Sequence, residues 1–240
     1  MAKIITEDMI EQAAIELLVS GYHYSWRNCY TKDPETLPDN SGRSDKKQVV
    51  LPDVLGEYLC AVNPDIPADV VNQTAQELCR NTLGDPMTVN FEIYQKIRNG
   101  IKVAYKKDGR QTHGLLRLVD FAHPENNSFI VVSQMWIKGE VHWRRPDLIL
   151  FINGLPLVFI ELKNSNINVK NAYDKNLIDY RRDIPCLFNY NQICVLSNGM
   201  ETRLGSFAAG YEHFFEWLKV SDEKENPDRK AIKENCVSLE

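Results

Sequence analysis

The chain has 240 residues, 43% of them hydrophobic and 25% charged, with a formal net charge of −5. No stretch approaches the ~18 consecutive apolar residues of a membrane span, and the acidic balance excludes a protein coated in positive charge for nonspecific nucleic-acid binding, though not a local basic cleft. Six cysteines, at 29, 60, 79, 186, 194 and 236, form no CxxC pair and no Cys/His cluster at zinc-ligand spacing, so free thiols are expected rather than a disulfide framework or structural zinc. The start MAKIITEDMIEQ lacks a signal-peptide h-region and the Arg/Ser bias of a transit peptide, which predicts a cytoplasmic location and no membrane contact.

In chain order, residues 6–20 place Met9, Ile10, Ala13, Ala14, Leu17 and Leu18 at helical spacing, with Thr6 positioned to cap, Glu7 and Asp8 in the first turn, and Gly21 as the stop. The Pro, Asp, Ser and Gly of CYTKDPETLPDNSGRSDKK predict a long, mobile surface loop. Helices are predicted around 47–61 and 67–82, and a short helix or strand at VNFEIYQKIRNG. The runs IKVAY, HGLLRLVDF and SFIVVSQMWI, separated by turn-like KKDGRQ, AHPENN and KGE, predict an antiparallel meander leading into residues 144–164. Residues 168–183 return to helical spacing, with Val169, Ala172, Tyr173, Asn176, Leu177 and Tyr180 on one side. QICVLSNGMETRLGS reads as strand, Asn-Gly turn and strand, AAGYEHFFEWLKV as a short amphipathic segment, and the charged residues 221–240 as a linker or tail.

The stretch RRPDLILFINGLPLVFIELKN carries two strands apolar on both faces, which belong in a sheet covered on both sides, here by the first helix and the 168–183 helix. Its charged residues stand at the outer ends. With a two-residue turn at Asn153-Gly154, the numbers of facing residues sum to 307 and Asp147 and Glu161 point to opposite faces; a three-residue loop makes the sum 308 and sets them opposite each other, and a longer loop or a bulge could do the same. The expectation is that the turn is not a plain two-residue one, or that the strands splay at the rim. Glu161 and Lys163 share a face in any register. Together the three suit metal-assisted phosphodiester hydrolysis: two hard oxygen ligands for Mg²⁺ or Mn²⁺, and a lysine to orient water and neutralise phosphate charge. A bare PD followed by ExK also occurs at ordinary solvent-facing strand ends, so the spacing alone does not fix a site.

The longer pattern does more. RRPD, NGLPL and IELKN in sequence, within GIKVAYKKDGRQTHG through to ICVLSNGMETRLG, resemble the PD-(D/E)xK nuclease core and, more closely, the N-terminal nuclease domain of type I restriction enzyme R subunits, over about half of the chain. The resemblance implies an α/β fold with a mixed central sheet flanked by helices and an N-terminal helical region. It implies Asp147, Glu161 and the Leu162 carbonyl as metal ligands, Lys163 as the catalytic lysine, and an additional acidic residue on the first helix, Glu11 before its competitors Glu7 and Glu16. A family Gln-x-x-x-Tyr motif corresponds to Asn176 and Tyr180, with asparagine in place of glutamine, as groups orienting substrate or Lys163. Arg144, Arg145, Lys170 and Lys175, with Arg181 and Arg182, make a cationic cluster for DNA phosphates, and Trp136 and Trp143 pack at the rim or stack on bases.

The implied whole is an endonuclease domain over 1–220 and a linker over 221–240 that leads to a helicase-like motor. The chain has no GxxxxGK[ST] loop, so ATP belongs to that motor part, and the charged residues after 220 suggest an excised N-terminal piece. The implied partners are double-stranded DNA and modification and specificity subunits. Two alternatives stay open: a stand-alone repair or recombination nuclease, and a non-catalytic module that docks DNA or other subunits.

Overall fold

The computed structural model describes residues 5–80, 82 and 84–217. The predicted linker at 221–240 lies outside the described residues. Helix α1 (Glu7–Glu16), capped by the Thr6 hydroxyl, runs into a wider π turn at Leu17–Gly21 and is followed by strand β1 (Ser25–Asn28). Helices α2 (Pro52–Val62), α3 (Ala68–Cys79) and α4 (Pro86–Asn99) come next, α2 and α4 each opened by a proline whose missing N–H costs nothing at that position. Strands β2 (Ile101–Lys107) and β3 (Arg110–Leu116) form a hairpin, and β4 (Phe129–Ser133), β5 (Ile137–Lys138) and β6 (Trp143–Arg144) lead into β7 (Leu148–Ile152) and β8 (Leu155–Leu162). A π segment (Ala172–Leu177) continues as α5 (Ile178–Asp183); α6 (Pro185–Phe188), β9 (Ile193–Ser197), β10 (Thr202–Gly205) and β11 (Phe215–Glu216) follow within the described residues.

The seven-stranded sheet has the order β1-β4-β7-β8-β9-β10-β11. β1 runs parallel to β4 and β8 parallel to β9, while the other neighbours are antiparallel, so the sheet is mixed as expected. One face packs Ile10, Ala14 and Ile15 of α1 against Val131, Leu148, Leu150, Ile160 and Leu162. The other packs Val169, Ala172, Leu177 and Tyr180 against Ile149, Phe151 and Phe159, with α2, α3 and α4 continuing the core. The two helices therefore cover the central strands from opposite sides, which explains why β7 and β8 are apolar on both faces.

Several expectations are corrected. On α1, Met9 and Ala13 are exposed and Ile15 is buried, because the helix rotates Glu11 inward beside Ile10 and Ala14. The 29–51 segment has no regular structure but is not a polar surface loop: Asp39, Ser41, Arg43 and Lys46 are buried in it, with Asp39 Oδ2 2.8 Å from Arg43 and 2.7 Å from Lys46. Against burial, which alone would raise it, these two cations and Ser41 hold the Asp39 carboxyl near 2. Residues 47–51 precede the α2 helix rather than belonging to it, VNFEIYQKIRNG is helical, and AAGYEHFFEWLKV forms a short 3-10 turn and strand within its described part. The meander is absent: β2 and β3 form a separate two-stranded sheet ending at Leu116, and β4 inserts between β1 and β7.

The turn itself is corrected, and the bulge named as an alternative supplies the register. Asn153 and Gly154 form a plain two-residue turn, both at positive φ (54° and 84°), with Ile152 facing Leu155 and Phe151 facing Pro156. The register then shifts, and Leu150 faces Val158, Ile149 faces Phe159 and Leu148 faces Ile160. The extra residue is Leu157, a bulge beside a proline that cannot donate to the ladder. Beyond it the facing numbers sum to 308, which carries Asp147 opposite Glu161.

Candidate active site

Asp147 lies just before β7, Glu161 near the end of β8, and Lys163 just past it, so the bulge brings three charged groups to one rim of the sheet. Glu161 is 1% exposed and Asp147 8%, and they repel each other at close quarters. Burial first, and Asp147 second, push the Glu161 carboxyl well above its usual range. Burial likewise raises Asp147, opposed by the Leu162 N–H donating to Oδ2 at 2.8 Å and by Lys163. Lys163 Nζ donates to Glu161 Oε1 at 3.0 Å and to the Leu162 carbonyl at 2.6 Å, and stands 3.9 Å from Glu7 Oε2. Burial alone would lower the Lys163 pKa, but Glu161 and Glu7 outweigh it and hold the ammonium charged.

Of the three candidate acids on α1, the structure brings two to the rim. Glu11, 7% exposed, accepts from Gln134 Nε2, the same amide that lies 3.4 Å from Asp147 Oδ1. Burial, with Asp147 adding to it, raises Glu11 to about 7 despite that hydrogen bond. Glu7 approaches through Lys163, and its own backbone N–H donates to Asn164 Oδ1 at 2.7 Å. Glu16 is exposed and turned away. From the opposite face, Tyr180 donates to the Arg145 carbonyl at 3.2 Å and sets its ring edge-on to Phe159, and Asn176 lies half-buried one helical turn before it. Burial first, and Glu161 second, raise the phenol well above its usual value.

Gln134 is the site residue that sequence reasoning missed. It ends the β4 run at φ 57°, its N–H donating to the Asp147 carbonyl at 2.9 Å while its side chain spans two carboxylates. An amide-bearing residue directly after FIVVS was the available signal.

Half of the cationic cluster is neutralised. Arg144 bonds Asp183 at 2.7 Å and Asp179 at 3.1 Å, Arg182 bonds the same two acids, and Lys170 bonds Asp174 at 2.6 Å. Arg181 donates to the Tyr173 hydroxyl. Arg145 lies between the rings of Trp136 and Tyr30, 4.9 and 5.0 Å from their centroids, and Lys175 is exposed with no carboxylate partner among the described residues. Trp136 donates to the Thr31 carbonyl, and Trp143 packs under Lys138, so both are rim packing.

Among the described residues no cluster of three or more His, Cys, Asp or Glu has metal-ligand geometry. The donor set is smaller, and it fits a hard cation: the Leu162 carbonyl and two acidic side chains, one of which, Glu161, has its buried Oε2 without a hydrogen-bond partner among the described residues. An orphaned carboxylate oxygen beside a second carboxylate is satisfied by a divalent ion more completely than by any group now around it.

The family model for the N terminus of type I restriction enzyme R proteins matches residues 4–213. The type I restriction enzyme HindI endonuclease subunit of Haemophilus influenzae is 34% identical over 98% of this chain and 22% of its own length. A relative from Methanocaldococcus jannaschii is 28% identical over 92% of this chain and 21% of its own. The type I restriction enzyme SsaAORF53P endonuclease subunit of Staphylococcus saprophyticus is 32% identical over 57% of this chain and 14% of its own. The chain thus spans about a fifth of the length of the first two.

Proposed function

Because the chain belongs to the family of type I restriction enzyme R protein N termini, we propose that it is the endonuclease domain of such a subunit, hydrolysing DNA phosphodiester bonds in the restriction of foreign DNA. The observation that carries this reading is the pair of buried carboxylates, Asp147 and Glu161, brought face to face by the Leu157 bulge with Glu161 Oε2 unsatisfied and Lys163 beside them.

Asp147, Glu161 and the Leu162 carbonyl would hold Mg²⁺ or Mn²⁺, which supplies Lewis-acid activation of water and charge neutralisation at the phosphate. The chain's own residues do the rest. Lys163, kept charged by Glu161 and Glu7, donates hydrogen bonds to the phosphate oxygens and orients the attacking water. Glu11, through Gln134, holds Asp147 in place. Tyr180, held by the Arg145 carbonyl and the Phe159 ring, and Asn176 one helical turn before it are the groups that would orient substrate or Lys163. Arg145 and Lys175, which with Arg181 are the cations of the original set without a carboxylate partner among the described residues, meet DNA phosphates; Arg144 and Lys170 serve the fold first.

The remaining assignments follow from the intact subunit. The domain occupies residues 1–220, ATP is consumed by a motor that follows it, the partners are modification and specificity subunits, and the site of action is the cytoplasm, where incoming DNA is met. Among the described residues no helix is long and apolar enough to cross a membrane.

The test separates metal binding from chemistry. In the intact complex, Lys163→Ala should lower DNA cleavage by about a hundredfold or more while the chain keeps its Mn²⁺ affinity in calorimetry, and Asp147→Ala should lose both. Full restriction by Lys163→Ala would show that the site is not catalytic and that the domain docks DNA or subunits instead.

A further inference from the structure

Away from the catalytic rim, positive charge gathers on the β2–β3 ribbon and its flanks. From Lys96 to Arg117 the sequence carries seven Lys and Arg against one acid, Asp108, in a chain of net charge −5. All seven are exposed, and among the described residues none makes an ion pair. The ribbon has two unlike faces. Val103 and Tyr105 turn toward the core, and Gly114 opposite Val103 leaves room there, since a Cβ would meet Tyr105 at 3.1 Å and Ile66 at 3.2 Å. Lys102 and Lys106 stand on the outer face, about 13 Å apart along the strand, and at the tip Lys107 faces Arg110 directly. A like-charge pair directly opposite opposes the pairing of the strands, so stability alone does not select it.

The ribbon leaves the core next to Leu118, whose carbonyl accepts from the Asn153 side chain at the Asn153-Gly154 turn. That turn is the far end of β7 from Asp147, roughly 17 Å along five residues, so the ribbon belongs to a different surface from the catalytic rim.

We propose that the β2–β3 ribbon is a second DNA contact, which grips the phosphate backbone of a duplex through Lys102, Lys106, Lys107 and Arg110 at a distance from the cleavage site. The proposal rests on the DNA-cleaving reading for its choice of polyanion. A two-stranded ribbon matches the duplex grooves in size, and unpaired cations release condensed counterions on meeting phosphates. The competing role for exposed lysines on edge strands is to block aggregation. Either sign of charge blocks an edge, whereas only positive charge holds phosphate, and the ribbon is positive except for the turn residue Asp108.

The experiment measures binding of the full chain to a fluorescent DNA duplex in EDTA over a series of salt concentrations, comparing wild type with the triple variant Lys106→Glu, Lys107→Glu, Arg110→Glu. The variant, with an unchanged thermal transition, should bind on the order of a hundredfold more weakly at ~0.1 M salt, with its logarithmic salt slope reduced by about three. If the triple variant does not fold, Lys106→Gln and Arg110→Gln singly should each reduce the slope by about one. Unchanged affinity and slope in a folded variant overturn the proposal, as does loss of binding to polyglutamate with DNA binding intact, which would assign the ribbon to an acidic protein partner. Without divalent metal the assay does not depend on Lys163 chemistry. A failed ribbon with Lys163-dependent restriction intact sinks only the ribbon, and the converse sinks only the catalytic assignment.

Discussion

Gln134 decides whether two acids from different elements act together. Its single amide nitrogen serves both Glu11 on α1 and Asp147 before β7, and its own backbone sits at φ 57°, a conformation that a non-glycine residue holds only when its surroundings impose it. Gln134→Leu keeps the bulk and removes the amide. Groups that orient a ligand from behind contribute about ten- to a hundredfold in metal affinity, so calorimetry should show Mn²⁺ binding weakened by about tenfold with the fold retained. An unchanged affinity would reduce Gln134 to packing. Asn176 shows how far a motif reading goes: asparagine is one methylene shorter than glutamine, and it lies half-buried in the wider π segment at Ala172–Leu177, one helical turn before Tyr180, whose hydroxyl bonds the Arg145 carbonyl.

At the scale of the element, the β7–β8 hairpin joins a tight turn to a shifted register. Asn153 is fully buried, its Oδ1 accepting from the Ser128 N–H and its Nδ2 donating to Leu118 and Asn127, so the turn is an internal hub rather than a surface loop. Gly154 packs against α2: a Cβ there would lie 2.7 Å from the Leu51 carbonyl oxygen and 2.8 Å from the Leu55 nitrogen, at a φ of 84°. Gly154→Ala should therefore destabilise the chain by about 1–3 kcal/mol in chemical denaturation, while the folded fraction still binds Mn²⁺. The signal for the bulge was present in GLPLVF. A proline in a strand that is apolar on both faces is confined to an edge, a strand start or a bulge, and β8 is central. The charge cluster around α5 was misjudged because Asp174 and Asp179 fall at helical spacing from Lys170 and Arg182, while Asp183 meets Arg144 only through the fold.

For the whole molecule, the rim is a store of unfavourable charge whose sign can be worked out. Glu11, Asp147 and Glu161 all have folded pKa values raised above their unfolded ones, so the folded chain binds protons more tightly than the unfolded chain. Their stabilising contribution is complete below the ordinary carboxylate range and is lost as pH rises, for Glu11 through about 7. Metal-free protein should accordingly melt at a lower temperature at about pH 8 than at about pH 5, and Mn²⁺ should raise the melting temperature more at the higher pH, where the carboxylates it takes are ionised. Glu11→Gln should flatten part of that dependence. A melting temperature that rises from pH 5 to 8 without metal would contradict the arrangement.

The amino-acid sequence by itself determined the α/β class, the burial of most of residues 148–152 and 155–162, and the choice of Asp147, Glu161 and Lys163 as candidates, because apolar periodicity and a specific series of short motifs are local properties of the chain. Only the tertiary structure decided that those residues meet, which acids of α1 reach them, and which cations are free. Each of these depends on register and on contacts between residues far apart in sequence, as between Gln134 and Glu11. One inserted residue, Leu157, turns two carboxylates on opposite faces into a facing pair, since side chains alternate with a period of two.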